Sequence, residues 1–282
     1  MAKIASLSVL VDATPATQEY LAEKYAGVIA NVQKITTSGR IKNTDLSGDP
    51  EAGTVVAKRF VNATSQTYGT ARTAGQGNQL KDKEVTIPID TNKEFVEEIE
   101  EKDIKLLGVD GLITKRTRNH AMRMAAELDE AFYTQAQTEG TAFTPATGVT
   151  DIQDIVESAI VTLETLKNNY IDGLDRSMLT VVMSPETYSA MRSYLDTVHN
   201  TNVDTTDEEF FVYHGVKVFS STRLPSGVKF IAMMDGSIAQ PVMSHPYKAE
   251  RIPLSDAVAL ELFFYYGTKA VTPETILVYA PE

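Results

Sequence analysis

An α+β fold with one long extended excursion is what the sequence predicts, and three observations carry it. Residues 54–101 read as two strands separated by a Gly/Thr/Gln-rich tip. Two stretches, about 110–137 and 152–166, place apolar residues at helical spacing. From residue 179 onward, short apolar runs bounded by turn residues read as strands.

Residues 1–14 read as an extended arm. Tyr20, Leu21, Ala26, Val28, Ile29 and Val32 then predict a helix from Pro15 to about Gln33, with Thr14 as cap and Pro15 at its first position. Residues 34–53 are polar and carry Gly39, Gly48, Pro50 and Gly53, so they read as connector rather than core.

The excursion follows. Alternation sets Val56, Lys58 and Phe60 against Val55, Ala57, Arg59 and Val61, and returns in Val85, Ile87 and Ile89. Pro88 lacks an N–H, which places its strand at an edge or a bulge. The stretch from Asn62 to Asp82 has almost no large apolar side chains and cannot pack a core of its own. A compact domain rarely carries ~20 structureless residues unless they are functional. Such an excursion stays extended only if something outside the subunit covers it, which points to an assembling protein.

A short strand is expected at Glu94–Glu100, then a long helix from about Asp110 to Gln137. Its buried stripe is Ala121, Ala125, Leu128, Phe132 and Ala136, with Met124 and Ala131 beside it and Met122 and Met124 as gap-filling core residues. Gly140, Pro145 and Gly148 break it. The next helix presents Ile152, Ile155, Val156, Ala159, Ile160, Leu163 and Leu166 on one face, with Thr150 and Gln153 as a capping box and Gly173 beyond its end. Leu179–Met183 is a strand that runs into Ser184-Pro185-Glu186, a Ser cap followed by Pro, and a helix carrying Tyr188, Met191, Leu195 and Val198. Residues 199–209 form a polar acidic loop. Strands follow at Phe210–Tyr213, Val216–Ser220, Phe230–Asp235, Ser237–Val242, Arg251–Leu254, Val258–Tyr266 and Val271–Tyr279. No repeat and no Pro-rich linker divides the chain.

Composition excludes several kinds of function. A chain of 282 residues can bury roughly 75% of its unfolded surface. Zero Cys removes thiol catalysis, disulfides and thiolate metal sites together. No apolar run approaches the ~20 residues that span a bilayer, and residues 1–12 do not form a signal peptide, so folding in a cytoplasm is expected. His120, His199, His214 and His245 are scattered, without metal-ligand spacing. Gly75-Gln76-Gly77 lacks the third glycine and the helix of a dinucleotide loop. Asp172, Gly173 and Asp175 read as a helix exit and turn, not a calcium loop. No phosphate loop or nucleophile elbow is present. Neither a reaction nor a cofactor is expected.

A formal net charge of −12 argues against a protein that coats nucleic acid. The basic cluster Lys115, Arg116, Arg118 and Arg123 reads either as a solvated helix face or as the partner of the acidic run Glu94, Glu97, Glu98, Glu100, Glu101 and Asp103. In the second reading, opposite blocks on one protein set the register of head-to-tail contacts between copies. Arg72, Lys81, Lys83, Glu97, Glu98, Glu101, Lys115, Arg116 and Arg118 are the residues expected at such contacts.

Taken in order, these segments resemble the HK97-type major capsid proteins of tailed bacteriophages over most of the chain. TVVAKRF and KEVTIPID look like the two sides of the E-loop, and residues 110–137 like the spine helix. LTVVMSPETYSAMRSYL at 179–195, HGVKVFSSTRLPSGVKFIAMMDGSIAQPV at 214–242 and LELFFYYGTKAVTPETILVYA at 260–280 resemble the axial-domain strands and the closing strands. The resemblance implies an HK97-like capsid fold in this order: N-terminal arm and connector (1–53), E-loop (54–92), P-domain with the spine helix (93–148), A-domain of mixed sheet with flanking helices (149–250) and closing strands returning to the P-domain (251–282). It implies self-assembly as pentamers and hexamers into an icosahedral shell enclosing double-stranded DNA without specific binding, with no membrane partner. A portal protein and possible decoration proteins are further implied partners. Because the arm-like segment begins at Met1, without the fused scaffold of some relatives, a separate scaffolding protein is expected, or none. The implied location is the virion, after assembly in the host bacterial cytoplasm. Lys58, Lys81 and Lys83 read as solvated loop lysines rather than as cross-linking groups. Two other readings stand beside this one: an encapsulin-like compartment holding a cargo enzyme, and a soluble enzyme with a mobile lid at residues 62–82.

Overall fold

The structure is a computed structural model and describes residues 32, 36–63, 65, 67–70, 82–100, 109–197, 212–244, 248–253 and 257–281. The expected arm, nearly all of the first helix, most of the excursion's tip, Glu101, Asp103 and the acidic loop after residue 197 lie outside the described residues.

Two larger sheets, one long ribbon and a short two-stranded pair organise what is described. The ribbon is a hairpin of β1 (Thr54–Phe60) and β2 (Asp82–Pro88), in register from Thr54 opposite Pro88 to Phe60 opposite Asp82. The second sheet centres on β12 (Val258–Tyr266), which pairs over all nine residues with β3 (Thr91–Ile99). On its other edge, β12 carries β10 (Val242–Ser244) and β11 (Lys248–Arg251). The third unit is a six-stranded mixed sheet. Its order is β4 (Thr141–Ala142), β14 (Ile276–Tyr279), β8 (Phe230–Met234), β5 (Leu179–Met183), β7 (Val216–Ser220) and β6 (Val212–Tyr213). The closing segment therefore supplies β12 to one sheet and β14 to the other.

Successive side chains of a strand point to opposite faces, and both faces of the six-stranded sheet are covered. On one face Leu179, Val181, Met183, Phe230 and Ala232 meet Ile155, Val156, Ala159, Ile160 and Leu163 of α2 (Ile152–Glu164). On the other, Val182, Ile231, Met233, Ile276 and Val278 meet Phe132, Tyr133 and Ala136 of α1 (Val109–Glu139). Burial on both faces explains why β8 is an unbroken apolar run and why β5 departs from one only at the buried Thr180, rather than alternating. The helix α3 (Pro185–Thr197) adds Met191 to the first core and is capped as expected. The Ser184 hydroxyl accepts the Thr187 N–H at 3.3 Å. Between β6 and β7, His214 and Gly215 have φ of 47° and 89°. A two-residue hairpin of this hand favours Gly at its second position.

Several expectations need correction. The N-cap of α2 is Asp151, whose side chain makes no capping bond, so Thr150 and Gln153 do not form a box. Met122 is 53% exposed and is not a core residue, whereas Met124 is buried. One step round the helix from Ala121 takes residue 122 off the buried stripe. The strand expected at 94–100 begins three residues earlier, because β12 offers a full-length partner. The run 237–242 splits into β9 (Ile238–Ala239), which pairs with β13 (Lys269–Ala270), and β10. Around Arg251 the strand precedes that residue instead of following it. A 3₁₀ turn at Pro273–Thr275 delays the last strand to Ile276.

The stretch read as connector is built into the core at one point. Ile41 is buried against Phe132 and Ile238, in the helical turn Ser38–Ile41. The start of that turn is capped from α1. The buried Asp129 carboxylate accepts the backbone N–H of Thr37 at 3.2 Å and of Ser38 at 3.0 Å, and the Thr37 hydroxyl at 3.1 Å. A carboxylate at a helical N-terminus satisfies donors that no backbone carbonyl can reach.

Candidate functional site

The hairpin is the first candidate surface. Val55, Ala57 and Arg59 of β1 and Ile87 of β2 are buried, while Thr54, Lys58 and Phe60 face solvent. The apolar part of the buried face lies against Ala239, Val271 and Leu46. Burying Val55 and Ile87 contributes about 1.5–3 kcal/mol each. Ser47 adds two backbone hydrogen bonds to Val56, of 2.9 and 2.8 Å. On the outer face Lys58 pairs with Glu84, its cross-strand neighbour, at 3.1 Å. Of the loop cations expected at contacts, Lys83 is exposed opposite Arg59. Arg72 and Lys81 lie outside the described residues. At the end of β1 Phe60 is 52% exposed, and beyond the strands Tyr68 is 96% exposed.

The base of the hairpin is fixed by a close approach. A Cβ on Gly267 would stand 1.8 Å from the Pro88 carbonyl oxygen, so only glycine lets the end of β12 pass the end of β2.

The charged cluster on α1 is the second candidate. The structure brings two of its expected residues together within one chain: the Arg116 guanidinium grips the Glu97 carboxylate with two nitrogens, Nε at 2.6 Å from Oε2 and Nη2 on Oε1. Such a fork-to-fork pair fixes orientation as well as charge. His120 Nε2 lies 3.1 Å from the same carboxylate, and the ring stacks on Phe95, centroids 4.9 Å apart. Burial pushes the imidazole below its ordinary pKa, against the pull of Glu97 in the other direction. Glu98, Lys115 and Arg118 remain exposed, as do Glu94 and Arg123. Glu101 lies outside the described residues.

Sequence reasoning missed two polar sites. Arg59 is 9% exposed, pairs with Glu274 and lies 4.3 Å from the centre of the Tyr170 ring. Its place on the buried side of the alternation in β1 was visible, but its partners are far along the chain. Arg176 bridges the turn before β5 to α2, with Nε 2.9 Å from Glu164 and Nη2 2.5 Å from Glu157. Glu157 also meets His214 Nδ1 at 3.0 Å.

A cleft of about 510 Å³ between the 38–42 turn and α1 is lined by Ser38, Lys42, Leu46, Met124, Leu128 and Gln240 among others, with no carboxylate or histidine. Among the described residues no group of three His, Asp or Glu side chains could hold a metal ion, and no helix is long and apolar enough to cross a membrane.

Comparison with known proteins places this geometry. The model of a family described as phage capsid protein matches residues 84–279. No curated protein sequence matches the chain. Among solved structures, one from Mycobacterium phage Che8 is 18% identical, with a TM-score of 0.60 over 99% of this chain and 92% of that one. The capsid of cyanophage P-SCSP1u is 12% identical, with a TM-score of 0.58 over 86% of each chain. A virus-like particle from Pyrococcus furiosus is 10% identical, with a TM-score of 0.58 over 93% of this chain and 99% of that one. At these identities the likeness is one of fold.

Proposed function

The chain belongs to the phage capsid protein family, with the HK97-like fold of major capsid proteins, and we propose that its copies join as pentamers and hexamers into a closed shell around packaged double-stranded DNA. It is a structural major capsid protein of an icosahedral shell and a component of the virion. The observation that carries the finer reading is the hairpin. A two-stranded ribbon is marginal alone in water, and this one is docked along one face while presenting Phe60 and Tyr68 to solvent. A neighbouring copy is the surface that covers them.

In this reading residues 1–53 are arm and connector, 54–92 the E-loop, 93–148 the P-domain with α1 as spine, 149–250 the A-domain and 251–282 the closing strands. Pentamers and hexamers reuse one heterologous interface with slightly different bends. Weak contacts add up over many copies, and the net charge of −12 keeps DNA from adhering to the wall. Assembly in the host cytoplasm, and a scaffolding protein, a portal and decoration proteins as partners, belong to the proposal on the resemblance alone. We assign the chain no catalytic step. The phage family match favours a virion shell over an encapsulin-like compartment or an enzyme with a lid at 62–82.

The charged residues have a part in it. Glu97 and Arg116 hold β3 and α1 together, while Glu98, Lys83, Lys115 and Arg118, with Arg72, Lys81 and Glu101, set the register between copies. Electron microscopy and size-exclusion chromatography of the purified chain test this. The parent forms closed particles. Lys115→Glu with Arg118→Glu leaves a folded subunit and lowers particle yield about tenfold at low salt, where exposed charges are least screened. A parent that stays monomeric under every condition contradicts the shell. Normal assembly of the variant at low and high salt leaves those cations as a solvated face only.

A further inference from the structure

The contacts that hold the hairpin come in order along its length. Gly267 lies against Pro88 at the base. Ala57, Val85 and Ile87 follow, against Leu46, Ala239 and Val271. Toward the far end the contacts become polar. Arg59 turns its side chain to the docked face, pairs with Glu274 and lays its guanidinium over the Tyr170 ring at 4.3 Å. Both partners are themselves held. Glu274 belongs to the 3₁₀ turn Pro273–Thr275 and accepts from Asn168 Nδ2 at 3.3 Å. The Asn168 side chain accepts the N–H groups of Tyr170 and Ile171, each at 2.8 Å, which fixes the turn that presents the ring. Just past β1, the Asn62 N–H donates to the Asn169 carbonyl at 2.9 Å.

A buried cation is stable only when paired and solvated by neighbours, and an apolar side chain would dock the ribbon without that demand. What the arginine adds is direction. Its planar fork meets a carboxylate in few orientations, and its flat face meets an aromatic ring in few orientations; a lysine ammonium, a point charge on a flexible stem, satisfies neither constraint. The clamp stands near the end of the docked region, beside the Asn62–Asn169 hydrogen bond, so a small rotation there changes the direction of the chain that follows.

We propose that Arg59 is a positioning residue for assembly: its clamp on Glu274 and Tyr170 sets the angle at which the hairpin leaves the subunit, and that angle sets the uniform curvature of the shell. The second half of this statement rests on the shell reading given above.

Full-length Arg59→Lys and Glu274→Gln test it, with Tyr170→Phe as a control that keeps the ring face. In unassembled subunits of the two test variants, amide exchange across residues 57–60 and 82–86 accelerates about tenfold, as expected when a local contact is released without global unfolding. Thermal midpoints stay within a few degrees of the parent. Their particles spread in diameter or close incompletely, while the control and the parent give one size. Unchanged exchange in both variants overturns the clamp. Faster exchange with particles of uniform parental size overturns the link to curvature. Should Arg59→Lys not fold, Glu274→Gln decides alone, because the Glu274 side chain is 27% exposed and tolerates loss of charge better. A parent chain that makes no particles overturns the shell reading and the curvature link with it, and is told apart because the exchange arm needs no particles.

Discussion

Removing residues 65–78 leaves a subunit that folds and does not close shells. The deleted stretch, SQTYGTARTAGQGN, contains one large apolar side chain, Tyr68, and that residue is 96% exposed. Every residue of the hairpin's apolar contact lies outside the deletion: Val85 and Ile87, with Ala57, against Leu46, Ala239 and Val271. The shortened subunit therefore keeps its soluble yield, and its thermal midpoint stays within a few degrees of the parent, since exposed substitutions away from special contacts change stability by about 0.5 kcal/mol or less. What it loses is its reach to the next copy. Free capsomers or irregular sheets replace closed particles in electron micrographs, a loss of closed shells of at least about a hundredfold if several weak contacts per copy act together. Regular closed particles of parental size from this variant would show that the tip is dispensable.

The parts of this architecture that repeat locally were legible in the sequence. Ala121, Ala125, Leu128, Phe132 and Ala136 fall every three or four residues, and all five are buried on α1. The five residues of β5 are buried throughout and were readable as an apolar run closed by a Ser-Pro cap. The hairpin strands showed themselves through period-two alternation, because one face packs and the other is wet. What stayed hidden is polar and distant. Arg59 and Glu274 are 215 residues apart, and Asp129 caps a turn 91 residues upstream at Ser38. No local period marks such partners; only the folded arrangement brings them within hydrogen-bond range. The same limit explains the charged blocks. Glu97 and Arg116 read as halves of opposite clusters on different copies, but they are 19 residues apart on β3 and α1 of one chain and satisfy each other. Glu98, Lys115 and Arg118 stay exposed on the same elements.

Gly267→Ala produces the largest loss of stability expected from a single added methyl group among the described glycines. The added carbon would stand 1.8 Å from the Pro88 oxygen and 2.8 Å from its carbonyl carbon. Both are backbone atoms, so no side chain can swing away to relieve the overlap. Either β12 shifts against β3, whose nine paired residues resist it, or the base of the hairpin moves off Val271 and Ala239. Overpacking of this kind costs about 1–3 kcal/mol, and with a backbone obstacle the upper end applies. A fall of several degrees in the thermal midpoint, or insoluble expression, is the expected outcome. Gly53→Ala is a useful contrast: no atom lies within 4 Å of the added carbon there, and only its φ of 79° is strained. Equal midpoints for Gly267→Ala and the parent would mean that β12 and β2 do not pass as closely as described.

Whether the hairpin reaches a neighbouring copy can be read from a single thiol. The chain has no cysteine, so Tyr68→Cys creates one reactive site at the exposed tip. A photoactivated cross-linker attached there is irradiated in assembled particles and in dissociated subunits, and the products are separated on a denaturing gel and mapped by mass spectrometry. Particles give covalent dimers with attachment points on a second copy, and dissociated subunits give none. Closed particles that yield no cross-linked dimer, or that link the tip only to its own chain, would contradict that reach.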